Sequence, residues 1–186
     1  MEIKRVSFSY GDEKVISDFS LSLPKGKRVA IMGESGRGKT TLVRLMLGLL
    51  KPDSGEIIRD PGERPAAVFQ EDRLLPWYSV RKNIGLVTDD GALAGRLLEA
   101  MELAPFADKL PKELSGGQQR RAAIARALAF RPDPLLLDEP FKGLDADMRV
   151  RIAEKILDHA DGSRILLITH DEKEAELLGC EEVIRL

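Results

Sequence analysis
The chain has 186 residues, 43% of them hydrophobic and 32% charged, which suits one globular domain with a buried core. Its 29 Lys and Arg nearly balance 31 Asp and Glu, and a formal charge of −2 argues against a broad non-specific nucleic-acid binder. The longest apolar run, Leu42 to Leu50, is interrupted by Arg44, the N-terminal MEIKRVSFSY lacks a secretory-signal pattern, and the lone Cys180 allows no internal disulfide, so a reducing, cytosolic setting is expected.

Short β-rich runs alternate with helical patterns. Strands are predicted over Glu2 to Phe8, Lys14 to Leu21 and Arg28 to Met32, with turn chemistry at Tyr10-Gly11-Asp12 and Pro24-Lys25-Gly26-Lys27. A glycine-rich loop follows, then a helix over Lys39 to Leu50 ended by Pro52-Asp53-Ser54-Gly55. Two short strands come next, near Glu56 to Arg59 and Ala66 to Phe69. From about 74 to 114 helical patterns dominate (Val80 to Leu86, Ala92 to Leu103), broken by Pro76, Pro105 and Pro111, and this stretch reads as a small inserted helical subdomain. Alternation then resumes: a helix over Gly116 to Phe130, a strand Leu135 to Leu137, a helix Ala146 to His159, a strand Ile165 to Ile168, a helix Asp171 to Leu178 and a strand Glu182 to Leu186. Continuous apolar strands between amphipathic helices indicate an α/β fold with a mostly parallel sheet covered on both faces.

Gly33-Glu34-Ser35-Gly36-Arg37-Gly38-Lys39-Thr40 matches the P-loop pattern in full, and Thr41 follows it. The apolar strand delivers the chain to the loop, the glycines let backbone N–H groups converge on phosphate oxygens, and the next helix aims its positive end at the same anion. Lys39 can neutralise the β and γ phosphates, and the Thr40 hydroxyl can ligate Mg²⁺. Pro134-Leu135-Leu136-Leu137-Asp138-Glu139 is a short apolar strand ending in two acids. A buried parallel strand can hold Asp138 beside Thr40. Adjacent strand residues face opposite ways, so Glu139 can polarise an attacking water only if the chain turns there, as Pro140 suggests.

Leu114-Ser115-Gly116-Gly117-Gln118 opens the next helix with a good N-cap, two glycines and a helix dipole at one point, making a second anion-seeking end in a chain with only one P-loop lysine. With these motifs the chain resembles the ATP-binding-cassette (ABC) transporter ATPases over essentially its whole length and in that family's order. The resemblance implies a P-loop NTPase core with a mostly parallel sheet, a small antiparallel β subdomain and the helical subdomain, together one ABC ATPase domain over 1–186, the helical part running from about 74 into the signature helix to about 130. It implies an ATPase using Mg²⁺ with ATP, the metal held by Thr40, Gln70 and Asp138. It further implies that Tyr10 stacks on adenine, that Gln70 links the nucleotide to the helical subdomain, and that Glu139 acts on the water. His170 becomes the switch histidine at the γ phosphate and Gly143-Leu144-Asp145 a loop at a dimer seam. Two cassettes, expected to be identical, would sandwich ATP between one P-loop and the other's Leu114 to Gln118 signature.

The run Phe69-Gln70-Glu71-Asp72-Arg73-Leu74-Leu75-Pro76-Trp77 is similar to that of bacterial importer ATPases of the nitrate, sulfonate and taurine group. This implies a subunit on the inner face of the plasma membrane, partnered by transmembrane permease subunits and, through them, a solute-binding protein, with no nucleic-acid partner. Two other readings are a soluble non-transport ABC ATPase for cofactor assembly or nucleic-acid repair, and a small P-loop kinase, which leaves LSGGQ unexplained. Departures from the family are Arg37, where a small residue is common, a short helical insert, and an end sixteen residues after His170. Arg120, Arg121, Arg126 and Arg131 read as a solvated helix face, since neighbours on a helix diverge by about 100°. His159 is assigned no role. Trp77, with Leu74 and Leu75, fits either a groove for a membrane partner's helix or plain core packing. Cys180 reads as a small buried hydrophobe.

Overall fold
The computed structural model describes residues 1–34, 36–160 and 162–186. Two sheets divide the strands. The antiparallel one has the order β2-β1-β4, from β1 (Glu2–Tyr10), β2 (Glu13–Ser22) and β4 (Ser54–Ile58). The other is parallel throughout, in the order β5-β6-β7-β3-β8, from β3 (Arg28–Met32), β5 (Ala66–Val68), β6 (Leu135–Asp138), β7 (Ile165–Thr169) and β8 (Glu182–Arg185). The expected mixed architecture of a P-loop core with a small antiparallel sheet is what the chain forms.

Strand alternation builds two cores on the two faces of the parallel sheet. Leu135, Leu137, Ile165 and Leu167 point into one, shared with the helices α2 (Val80–Gly85), α3 (Gly91–Ala100), α4 (Gly116–Ala129) and α5 (Ala146–His159). Leu136, Leu166, Ile168, Val29 and Ile31 point into the other, with α1 (Lys39–Met46) and the antiparallel sheet. A sixth helix, α6 (Glu172–Leu177), follows β7. Among the described residues no helix is long and apolar enough to cross a membrane.

Two helices end before their apolar patterns do. The first stops at Met46 because Gly48 takes a left-handed φ of 73° and folds Leu49 N–H back onto the Arg44 carbonyl, leaving Leu49 exposed. The third stops at Ala100, where Glu102 adopts φ 54° and Leu103 N–H returns to the Leu98 carbonyl at 2.7 Å.

Arg131 is exposed as expected, but the reading of Arg120 and Arg121 needs correction. Arg120 and Arg121 do diverge, yet both are buried, at 4% and 8% exposure, because α4 packs against α2, α3, α5 and β5 through a run of alanines. Their charges go to main-chain oxygens: Arg121 Nη1 donates to the Met101 carbonyl at 2.5 Å and to the Glu102 carbonyl at 3.2 Å, closing the end of α3. Trp77 is 67% exposed, so core packing does not describe it. Cys180 is half-buried against the helical-side core, and burial pushes its thiol up to about 11.

At the amino-terminal end of β7, Arg164 is fully buried and grips Asp133 with two bonds, Nε to Oδ1 at 2.8 Å and Nη2 to Oδ2 at 2.9 Å. Its Nη1 also reaches Asp60 at 2.8 Å and the buried Glu63 at 2.5 Å. Arg164→Met should therefore lower stability by about 3 kcal/mol, the low end for breaking a buried pair because Asp60 and Asp133 keep solvent contact, as read by urea unfolding. The bonds from Arg164 hold the Asp133 carboxyl below its usual range, so this contribution is present above the ordinary carboxylate pKa and is lost as pH falls through the depressed one.

Candidate functional site
Four adjacent strands of the parallel sheet, in the spatial order β5, β6, β7, β3, each hand over to one segment singled out in the sequence. Gln70 follows β5, Asp138 ends β6 with Glu139 next after it, His170 follows β7, and the P-loop follows β3. Crevices beyond the carboxyl ends of parallel strands are where α/β folds bind ligands. A cavity of about 280 Å³ opens there, lined by Tyr10, Gly36, Gly38, Lys39, Thr40, Thr41, Gln70, Asp138 and Glu139. Glu13 and Val15 also line it, and nothing in their sequence context signalled this. A larger recess of about 540 Å³ lies on the antiparallel sheet around Lys4, Arg5, Asp18 and Gly55, away from all of these groups.

Gly38 caps α1 with φ 80°, and a Cβ there would meet the Val15 carbonyl oxygen at 2.9 Å, so both backbone shape and space demand glycine. Lys39 Nζ donates to the Gly33 and Glu34 carbonyls, each at 2.7 Å, which places the ammonium at the mouth of the loop. Ser35 lies outside the described residues. Arg37 faces solvent and pairs with Glu34 at 3.4 Å. Tyr10 is 44% exposed, with its ring edge-on to Phe8 at 4.9 Å; hydrogen bonding with Thr41, then Arg44, lowers its phenol pKa.

Thr40 Oγ1 donates to Asp138 Oδ2 at 2.6 Å, and Asp138 is 2% exposed. Burial raises its carboxyl pKa while the Thr40 bond opposes this. The chain then turns as the sequence required. Glu139 sits at φ 52° with its N–H on the Ile168 carbonyl at 2.9 Å, which brings its side chain to the same cavity as Asp138. Its Oε1 lies 2.9 Å from His170 Nδ1.

The Leu114 to Gln118 tip does not line this cavity, and neither does Asp145. Ser115 caps α4 in a capping box: its Oγ accepts from the Gln118 amide at 3.3 Å, and Gln118 Oε1 accepts from the Ser115 amide at 2.9 Å. A Cβ on Gly116 would meet nothing within 4 Å, so nothing in this chain alone requires glycine there. Asp145 caps α5 by accepting from the Met148 amide at 2.9 Å. Sequence reasoning also missed Arg149, whose Nε donates to the Leu144 carbonyl at 3.1 Å while Nη1 meets Asp171 at 3.3 Å and the buried Glu174 at 3.4 Å. It joins the Gly143–Asp145 loop to the segment after His170.

A profile of the ABC transporter family matches residues 16–142. The chain belongs to the ABC transporter family. It is 43% identical over 185 residues to the aliphatic sulfonates import ATP-binding protein SsuB 2 of Burkholderia cenocepacia, covering 91% of this chain and 67% of that protein. The SsuB of Granulibacter bethesdensis is 43% identical over 189 residues, covering 99% of this chain and 79% of the relative. Among solved structures, the dimeric structure of MJ0796, a bacterial ABC transporter cassette, aligns with a TM-score of 0.86 at 31% identity, covering 100% of this chain and 93% of that one. A dimeric post-hydrolysis state of the same cassette, bound to ADP and Pi, aligns equally well, also at a TM-score of 0.86.

The bond to Glu139 and its charge raise the His170 imidazole pKa. The pair is strongest below the ordinary histidine value of about 6.5 and is lost as pH rises through the raised one. With only two histidines in the chain, an NMR titration resolves this directly. His170 should titrate above about 6.5, and Glu139→Gln should bring it back toward that value; an unmoved midpoint means the contact is not made in solution.

Proposed function
We propose that this chain is the ATP-binding and hydrolysing subunit of a bacterial ABC importer, working as a pair of cassettes on the inner face of the plasma membrane beneath separate permease subunits. The observation that carries the reading is the convergence of Lys39, Thr40, Gln70, Asp138 and Glu139 on one cavity while the Ser115 helix tip stays outside it. Within one chain the second anion-seeking end has no phosphate to meet. A second copy placed head to tail supplies one. The names of the SsuB relatives favour import, and aliphatic sulfonates as the class of solute, which other subunits would select. The exposed Trp77, beside Leu74 and Leu75 on the segment after Gln70, is the face offered to a permease, with α2, α3 and α4 as the helical subdomain that carries it.

The donor set fits Mg²⁺. Thr40 and Asp138 offer one hydroxyl and one buried carboxylate 2.6 Å apart, with Gln70 in the same cavity. Among the described residues no group of three or more His, Cys, Asp or Glu could cage a metal. Mg²⁺ suits this arrangement because it takes one or two carboxylates plus substrate phosphates. When bound, the cation neutralises charge on the β and γ phosphates. Lys39 does the same from the loop, and Tyr10 offers a ring to adenine. Glu139 accepts the attacking water's proton on the oxygen that His170 leaves open, and His170 holds that carboxylate in place beside the γ phosphate. Ser115 and Gly117 of the other copy close the site with a hydroxyl, amides and a helix dipole aimed at the developing charge.

Two variants test the reading. Glu139→Gln keeps the backbone and the side-chain shape, so it should bind ATP yet lose roughly a hundredfold or more in turnover and collect as a nucleotide-locked dimer on size exclusion. Hydrolysis at the parental rate removes Glu139 from the mechanism. Ser115→Arg should abolish phosphate release while leaving ATP affinity of the isolated monomer within about threefold. Undiminished turnover there excludes a site shared between copies.

A further inference from the structure
Just over one turn beyond its Ser115 cap, helix α4 carries Arg120, 4% exposed despite its charge. Its guanidinium leaves the helix altogether. Nη1 donates to the Phe69 carbonyl at 2.6 Å, Nη2 donates to the Gln70 carbonyl, and Nε lies 3.2 Å from Asp72 Oδ1. Arg126, further along the same helix, donates to the Asp72 carbonyl at 3.2 Å. The Phe69 and Gln70 carbonyls lie past the last paired residue of β5, where the sheet no longer satisfies them. Burying a guanidinium is costly unless its donors are met, and here two of them are met by consecutive main-chain oxygens of the loop that presents Gln70 to the cavity.

We propose that Arg120 is a positioning residue for ATP hydrolysis, its fork on the Phe69 and Gln70 carbonyls tying Gln70, in its own chain's pocket, to the helix whose Ser115 tip serves the other copy's nucleotide. This rests on the functional reading above. Arg120 touches neither nucleotide nor metal. It makes one chain's contributions to two separate nucleotide pockets move as one body: Gln70 cannot shift without pulling on the base of the signature helix. A planar fork fixes its two donors relative to each other; a lysine ammonium can reach two carbonyls, as Lys39 does in the loop, but on a flexible stem it holds them less rigidly.

Arg120→Lys keeps the charge and most of the packing and removes the fork. Steady-state phosphate release from Mg·ATP should show kcat reduced about tenfold with KM for ATP within about twofold. In a Gln70→Ala background the same substitution should change kcat by less than about twofold, because the residue it positions is already gone. Independent losses that multiply overturn the inference, as does a folded Arg120→Lys chain with parental kcat. Limited trypsin digestion gives a readout free of turnover. Cleavage after the exposed Arg73, in the tethered loop, should accelerate about tenfold in Arg120→Lys while other sites are unchanged. Uniform acceleration, or none, overturns the local tether. Arg120→Gln, which retains a single donor group, passes through the same cycle and replaces the lysine variant should that fail to fold. A parental chain that releases no phosphate overturns the functional reading instead, and the trypsin pattern then decides the tether alone.

Discussion
The site depends on the register of four parallel strands. Met32 pairs with Thr169 and Asp138 with Ile168, so β3, β6 and β7 finish nearly level; the P-loop, Asp138 and Glu139 reach one crevice, and His170 meets it through Glu139. That register is enforced from both sides. Leu135 and Leu137 enter one core while Leu136 enters the other, and a slip of one residue would drive each into the wrong face and turn Asp138 away from Thr40. The chemistry at the sheet's edge is thus held in place by leucines that never touch it.

Charge is distributed along this sheet with a clear polarity. At the carboxyl end the acids are engaged by a hydroxyl and an imidazole, Thr40 on Asp138 and His170 on Glu139, partners that leave carboxylate oxygens for a ligand. At the amino end Arg164 takes up Asp133 and Glu63 with a full guanidinium, leaving little for anything else. Arg120, Arg121 and Arg149 use the same guanidinium chemistry in a third way. They reach main-chain carbonyls at the ends of elements, and so fasten α4 to the loop after β5, α4 to the end of α3, and α5 to the Leu144 turn.

What could be read from the sequence was what depends on near neighbours. The P-loop, the acid pair after an apolar strand and the capped LSGGQ tip are each local arrangements, and the chain forms them where the spacing said. The turn at Glu139 was a condition for two adjacent acids to share a cavity, and Pro140 after it suggested that the chain meets it. Helix ends were less legible: the apolar pattern ran through Leu50, but the left-handed Gly48 ended α1 earlier. Arg131 is exposed as expected, but Arg120 was misread because the carbonyls that bury it lie some fifty residues away. No periodicity in α4 announces them. Trp77 could not be placed either, since exposure of an aromatic is a property of the assembled surface.

The left-handed backbone of Glu139 has one more implication. Non-glycine residues pay roughly 1 kcal/mol for that conformation, so the residue most favourable to folding at this corner is glycine, while the proposed reaction calls for a carboxylate. The two demands diverge at a single position. On the proposed function the protein keeps the carboxylate, anchoring the corner through the Glu139 amide in a backbone shape that a glycine would adopt more readily.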